Sequence, residues 1–100
     1  MYFNPDGKQL EVFLGSLEAQ LMEIAWEQGE ISVKRAMHFL PPDDPKAYTT
    51  VMTVLKRLYE KNLLKREKAG RNFIYQPNIS KSEFIKQKVH SVKAALKQFQ

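Results

Sequence analysis

The 100-residue chain, with 43% hydrophobic and 27% charged residues, is long enough for one small globular domain and a short appended segment. Its longest apolar run is three residues and its N-terminus lacks the pattern of a signal peptide, so we expect a cytoplasmic protein without a membrane partner. The formal net charge is +5, and the absence of cysteine excludes disulfides and thiolate metal sites.

The N-terminal part of the chain contains a turn signal followed by the pattern of a first helix. In the N-terminal extension, residues 1–14, the sequence Asn-Pro-Asp-Gly at 4–7 predicts a turn, so a small hairpin or a tail is expected. Ser16 is the predicted N-cap of the first helix, and Gly29 stands where a C-cap with positive φ is expected. The predicted inward residues of this helix are Leu17, Leu21, Ile24 and Ala25.

A single-residue strand, a second helix and a proline-rich break follow. Ile31 is predicted to pair with the hairpin described below, and Ser32 to cap a helix over residues 33–40. Its predicted inward residues are Val33, Ala36, Met37 and Leu40. Residues 41–45, Pro-Pro-Asp-Asp-Pro, end the helical pattern because proline removes a backbone donor and pushes the preceding residue out of helical space.

The third predicted helix has one apolar face and one face of threonines and cations. It is expected to start between residues 45 and 49, with Asp44 and Pro45 as an alternative cap and first turn. Its core-facing stripe, at spacings of three and four, is Val51, Val54, Leu55 and Leu58. Threonine hydroxyls can bond base edges and phosphates, so the outer face is typical of a DNA-reading helix. A solvated face that happens to carry threonine is the other interpretation.

The next segment predicts a basic β-hairpin, or wing. Residues 63–68 and 71–76 alternate apolar and polar side chains, and Ala-Gly at 69–70 is the predicted turn because glycine tolerates positive φ. The cations expected to project together from this hairpin are Lys65, Arg66, Lys68 and Arg71. A solvated edge hairpin is the alternative, since cations also protect exposed strand edges.

The last helix is predicted from Ser80 or Ser82 onward, with Glu83 near its positively polarised start. A narrow apolar seam at 4-3-4-3 spacing comprises Ile85, Val89, Val92, Leu96 and Phe99. A helix with one apolar stripe is only marginally stable alone in water, so we expect a dimer partner to cover the seam. Folding of the helix back onto its own domain is the alternative.

Charge is divided unevenly along the chain. Residues 1–50 carry 4 basic and 8 acidic side chains, a balance of −4, whereas residues 51–100 carry 12 basic and 3 acidic side chains, a balance of +9. Such segregation is typical of a molecule that turns one side toward a polyanion. Charge that serves solubility alone is the other explanation.

These segments resemble a known family. Residues 47–58, 61–63 and 71–77 look like the third helix and wing of the penicillinase repressor family, the BlaI/MecI/CopY type of transcriptional regulator. Residues 14–19, together with Met22, Ile24 and Trp26, are similar to the first helix of that family. The resemblance covers roughly residues 14–77, and its motifs occur in the family's order and spacing.

The resemblance implies a mainly α fold with a small antiparallel β wing. It places a winged helix-turn-helix, the DNA-binding domain, over residues 15–78, followed by a dimerisation-type helix over residues 79–100. The implied function is sequence-specific repression of transcription by a homodimer on an inverted-repeat operator. The recognition helix would enter the major groove of double-stranded DNA, and the wing would contact the backbone.

On this interpretation the site residues fall into three groups. Base-reading candidates are Thr49, Thr50, Met52 and Thr53. DNA-backbone candidates are Lys46, Lys56, Arg57, Lys65, Arg66, Lys68 and Arg71. Dimerisation candidates are the five seam residues, Ile85, Val89, Val92, Leu96 and Phe99. Arg57 has the alternative of an ion pair with Glu27 or Glu60.

Other functions are weaker interpretations of the same sequence. A winged-helix protein-interaction module without DNA binding, or a regulator of the MarR or PadR type, would share the fold. No catalytic, cofactor or metal site is predicted, because His38 and His90 are the only histidines and neither lies in a cluster with metal-ligand spacing. We therefore do not expect an enzyme.

Overall fold

Four helices and one β-hairpin follow one another between residues 14 and 97, the part of the chain that the computed structural model describes; side chains are described for residues 14–91. In chain order the elements are α1 (Ser16–Gln28), α2 (Val33–Phe39), α3 (Tyr48–Glu60), β1 (Leu64–Ala69), β2 (Asn72–Pro77) and α4 (Lys81–Lys97). The predicted mainly α fold with a small antiparallel wing is confirmed. The turn predicted over residues 4–7 lies outside the described residues.

Helix α1 starts one residue earlier than predicted. Its N-cap is Gly15, whose extended backbone has φ −64° and ψ 160° and whose carbonyl accepts from the Ala19 amide at 2.9 Å. Ser16 is already helical, so its prediction as N-cap was wrong; glycine is also a favourable N-cap, and the backbone turns there first. Gly29 ends the helix with φ +82°, the positive value that was predicted.

The next two helices follow the sequence pattern closely. Ser32 caps α2 by accepting from the Arg35 amide at 3.1 Å, and α2 ends at Phe39, one residue before the predicted end. Helix α3 starts at Tyr48, inside the predicted window, with Ala47 as its N-cap. The alternative cap at Asp44 and Pro45 is thereby wrong, because those residues precede the helix by several positions.

One apolar core lies where α1, α2, α3 and the wing meet, and the first turn of α4 closes it. The four residues predicted for the inner stripe of α3 are all buried. The buried residues are Leu14, Ala19, Leu21, Met22, Ile24, Ala25, Ile31, Val33, Ala36, Leu40, Val51, Val54, Leu55, Leu58, Leu64, Tyr75 and Phe84. Because threonines lower the helix propensity of α3, the burial of these side chains holds α3 in place.

The wing pairs β1 with β2 in antiparallel register, from Leu64 opposite Pro77 to Ala69 opposite Asn72. This register leaves Gly70 and Arg71 as the two-residue turn, and Gly70 has φ +64°. The predicted turn at residues 69–70 was therefore displaced by one position. Ile31 forms a bridge with Tyr75 through two 2.8 Å backbone hydrogen bonds, which confirms the single-residue strand.

A tight backbone motif fixes how the wing leaves α3. Asn62 has φ +63° and donates from its amide to Tyr59 O at 3.0 Å, while the Leu63 amide donates to Leu58 O at 3.0 Å. These two bonds form a Schellman motif, with asparagine at the left-handed position that glycine usually fills. The Asn78 side chain then donates to Asn62 O at 3.0 Å and ties the end of the wing to the same turn.

Helix α4 is capped by Ser80, one of the two predicted starts, whose hydroxyl accepts from the Glu83 amide at 3.1 Å. The sequence pattern missed Phe84, which is only 1% exposed and packs against Trp26 with ring centroids 6.1 Å apart. The indole nitrogen of Trp26 donates to Ile79 O at 2.8 Å. These contacts attach the first turn of α4 to the body of the domain.

Candidate nucleic-acid interface

Helix α3 presents three exposed threonines to solvent. We call Thr49, Thr50 and Thr53 the threonine face; each is exposed, whereas the inner stripe of the same helix is buried. The face borders an open depression of about 260 Å³, lined by these threonines together with Val54 and Arg57. A helix with a buried apolar side and an exposed side of short hydroxyls has the shape and chemistry needed to approach base edges in a groove.

The Thr53 hydroxyl is already engaged inside the helix. It donates to Thr49 O at 2.8 Å, the bond between residues four apart that threonine commonly makes in helices. With its proton directed at the backbone, the oxygen keeps acceptor capacity toward a ligand. In this rotamer Thr53 can accept from a base amino group and can offer its methyl group to an apolar contact.

Next to the threonine face lies a flank of exposed apolar side chains. Tyr48 is 46% exposed, Met52 44% and Tyr59 38%, at positions that share one side of α3. Met52, the fourth base-reading candidate, therefore lies on this flank beside the threonine face. Its polarisable side chain could contact a thymine methyl in the groove.

The four wing cations do not project together as predicted. Strand alternation directs Arg66 and Lys68 to the side of Leu64 and Tyr75, and Lys65 to the opposite side. Arg71 lies in the turn. Lys65, Lys68 and Arg71 are exposed, so cations flank both faces of the wing and its tip.

Arg66 differs from the other wing cations because it contacts two aromatic rings. Its guanidinium carbon is 4.2 Å from the ring centroid of Tyr59 on α3 and 4.0 Å from that of Phe73 on β2. Both distances are within the range of cation–π contact. Arg66 on β1 thus connects α3 to β2, a contact that its sequence position alone did not indicate.

The remaining backbone candidates occupy the ends and the side of α3. Lys56 and Arg57 are exposed. Among residues 14–91, Arg57 forms no ion pair with Glu27 or Glu60, so the predicted alternative for Arg57 was wrong. Lys46 pairs with Asp44 at 3.1 Å, an exposed contact of the kind that contributes little stability and can be exchanged for another anion.

The acidic side chains of α1 are partly neutralised within the molecule. Glu18 pairs with Lys61 at 2.6 Å, and Glu23 pairs with Lys81 at 2.7 Å. These pairs connect α1 to the end of α3 and to the start of α4. They also engage two lysines in ion pairs within the molecule.

The seam of α4 is only partly within the described side chains. Ile85 is half-buried against the core, whereas Val89 is 41% exposed. The side chains of Val92 and Leu96, and the whole of Phe99, lie outside the described residues. The role of the seam in dimerisation stays a prediction.

Metal binding and membrane spanning are two further properties to consider for the described part of the chain. Between residues 14 and 91, no three His, Asp or Glu side chains are grouped so that they could hold a metal ion. His38 is exposed and lies edge-on to the Phe39 ring, with centroids 5.3 Å apart. None of the helices α1 to α4 is long and apolar enough to cross a membrane.

Comparison with known proteins gives a consistent result. The family model described as "Penicillinase repressor" matches residues 14–99. The penicillinase repressor of Bacillus licheniformis is 32% identical over 78 residues, which are 78% of this chain and 61% of that protein. The chain therefore spans about three fifths of the length of this relative.

Two solved structures at 30% identity resemble the fold. The DNA-binding domain of the repressor BlaI superposes with a TM-score of 0.61 at 30% identity, over 70% of this chain and 85% of that one. Bacillus licheniformis BlaI, in its monomeric form in complex with the blaP half-operator, gives a TM-score of 0.57 at 30% identity, over 70% and 85% of the two chains.

Proposed function

The chain belongs to the penicillinase repressor family, and from this membership we propose that it is a sequence-specific, double-stranded DNA-binding repressor of transcription. In this proposal α3 enters the major groove, which is about 12 Å wide and admits one helix. The wing lies on the phosphate backbone. Repression then results from occupation of a promoter that a polymerase would otherwise use, and no catalytic step is required of the chain.

One observation carries the proposal: the threonine face of α3 is exposed while the opposite side of α3 is buried, and the wing that follows α3 carries the exposed cations Lys65, Lys68 and Arg71. Arg57 lines the same depression as the three threonines, so hydroxyls suited to base edges lie next to a cation suited to phosphate. The relative BlaI was solved with half-operator DNA, which supports the same ligand here. Because the proposed ligand is operator DNA, we further propose that the protein acts in the cytoplasm.

We further propose that the repressor acts as a homodimer on an inverted repeat. Two copies of α3 would address half-sites about one helical turn, roughly 34 to 36 Å, apart. The exposed Val89 on α4 and the partly exposed Ile85 support a contact between α4 helices. A single copy would contact one half-site and bind more weakly.

Fluorescence anisotropy tests this function directly. A labelled duplex from upstream of the protein's own gene is titrated at about 50 and 200 mM salt, with a scrambled duplex of the same composition as control. We expect tighter binding to the native duplex and a loss of affinity of roughly a hundredfold or more between the two salt concentrations, as several phosphate contacts would produce.

Salt-insensitive binding, or equal affinity for native and scrambled duplexes, would contradict sequence-specific DNA binding. An interaction module without DNA would give no steep salt dependence on any duplex. Shortening the duplex to one half-site tests the homodimer, because the loss of the second site should reduce affinity without changing which sequence is preferred.

A further inference from the structure

Arg66 is the only cation of the wing whose guanidinium meets two aromatic rings within residues 14–91. Tyr59 comes from the last turn of α3, and Phe73 comes from β2. Arg66 itself lies on β1, so three elements meet at this planar group. Tyr59 is 38% exposed and Phe73 is half-buried, which places the contact at the surface, on the side of α3 that also carries Met52.

The chemistry of the contact favours arginine over lysine. A planar guanidinium can lie between two rings and contact both faces, and it is more weakly hydrated than an ammonium group. Lysine keeps the charge but offers a compact, strongly hydrated ion that cannot stack. A simple phosphate contact would be served by either residue, so the stacked geometry indicates a function that charge alone does not supply.

Arg66 lies far enough from the wing tip that a small change in the angle of the wing at this contact would move the tip by several ångströms. Gly70 lies four positions after Arg66, which corresponds to roughly 13 Å along a strand at about 3.3 Å per residue. A tilt of the wing by about 15° would therefore displace the tip by roughly 3 to 4 Å, more than the tolerance of a hydrogen bond. Arg71, at the tip, would lose a backbone contact that it makes when the wing is held.

We propose that Arg66 is a positioning residue that holds the wing at a fixed angle to the recognition helix by stacking between Tyr59 and Phe73. It acts on DNA through Lys68 and Arg71, whose distance from α3 it sets, rather than through its own charge. This inference rests on the proposed DNA-binding function, and it revises the earlier prediction of Arg66 as a simple backbone contact.

The test compares Arg66→Lys with Arg66→Met. Lysine keeps the charge but not the stacking, whereas methionine loses the charge but keeps a long, polarisable side chain that packs well against aromatic rings. The control is Lys65→Met, which removes an exposed cation from the neighbouring position on the other face of β1. Tyr59→Leu removes one ring and tests the same contact from α3.

Wing position is measured first without DNA. The chain has no cysteine, so Ala69→Cys near the wing tip and Glu27→Cys on α1, both exposed positions, can carry nitroxide labels selectively. The labelled protein is diluted with unlabelled protein, so that the distance distribution comes from single molecules. Circular dichroism verifies that each variant is folded. We expect a broader distribution for Arg66→Lys and Tyr59→Leu, and a narrow one for Arg66→Met and Lys65→Met.

DNA binding by the same variants is measured second. For Arg66→Lys we expect affinity to fall roughly tenfold and the slope of log K against log salt to become shallower by about two units, because Lys68 and Arg71 both lose their phosphates. Arg66→Met should keep the slope of the unmodified chain. If Arg66 instead contacts phosphate directly, Arg66→Met loses about one unit and Arg66→Lys keeps the slope.

Broadening together with slope loss in Arg66→Lys supports the inference. A distribution that stays narrow in Arg66→Lys overturns it, and so does a broadened distribution with an unchanged slope, because wing position would then not matter for DNA. Failure of the unmodified chain to bind any duplex would overturn the proposed function and with it the DNA role given to Arg66. The two failures are thus distinguishable.

Discussion

At the scale of single residues, Thr53 allows a specific prediction about how the protein reads bases. Its hydroxyl proton is directed at Thr49 O, so its oxygen is left to accept from a donor such as an adenine or cytosine amino group. Thr53→Val keeps the branched shape and the methyl group but removes the hydroxyl. We expect discrimination between operator and scrambled duplex to fall by about 1 to 3 kcal/mol.

Anisotropy on the two duplexes checks this prediction, with Thr53→Ser as the control that restores the hydroxyl without the methyl group. Serine should retain most of the discrimination. If valine weakened binding to both duplexes equally, Thr53 would be excluded as a base-reading residue and would instead support the helix backbone alone.

Arg71 is predicted to contact a DNA phosphate and not to distinguish between base sequences. It is exposed in the wing turn, after Gly70. Arg71→Ala should weaken binding to all duplexes alike and make the slope of log K against log salt shallower by roughly one unit. Asn72→Ala, a neutral neighbour at an exposed position, is the matched control. An unchanged slope for Arg71→Ala would remove Arg71 from the phosphate contacts.

At the scale of elements, α3 was the most predictable part of the molecule. Its apolar residues recur with a helical period over about two turns, and this period specifies both the helix and its buried face. The wing turn was displaced by one residue because a turn at 69–70 and a turn at 70–71 both use Gly70. The register that buries Leu64 and Tyr75 on one side decides between them, and this is a tertiary effect.

The contacts that the sequence did not disclose join separate elements. Phe84 precedes the predicted α4 seam by one residue, which is about 100° around a helix, so the seam pattern gave no indication that Phe84 would be buried. The stacking of Arg66 required Tyr59 and Phe73 to meet from two other elements. Spacing within one helix or strand cannot predict a contact between side chains from separate elements. The sequence therefore predicted candidate residues for the site but not how their side chains contact one another.

The Schellman motif between α3 and the wing gives an element-scale prediction about stability. Asn62 adopts φ +63°, which costs a branched side chain roughly 1 to 2 kcal/mol and costs glycine nothing. Asn62→Val should therefore lower the free energy of unfolding by about that amount, measured by urea denaturation, while Asn62→Gly should leave it close to that of the unmodified chain. Similar losses in both variants would show that the Asn62 side chain, rather than its backbone, matters.

At the scale of the whole molecule, assembly through α4 is the property to test. Val89 is exposed, and a glutamate in a helix pair would place a charge in an apolar contact. Val89→Glu should convert a dimer into a monomer, as measured by light scattering across protein concentration. His90→Glu, at the next position and about 100° away around the helix, is the control and should leave the dimer intact. A dimer that survives Val89→Glu would place the contact elsewhere.

The burial of Phe84 has a practical consequence for anyone who wishes to isolate the DNA-binding unit. A fragment that stops at residue 78, the predicted end of the DNA-binding domain, would leave out Phe84 and Ile79 O, the two partners of the Trp26 ring. It would also remove Lys81 from Glu23. A fragment that ends at residue 78 should expose Trp26 and aggregate, whereas a fragment that keeps the first turn of α4 should retain the contacts of Trp26 with Phe84 and Ile79.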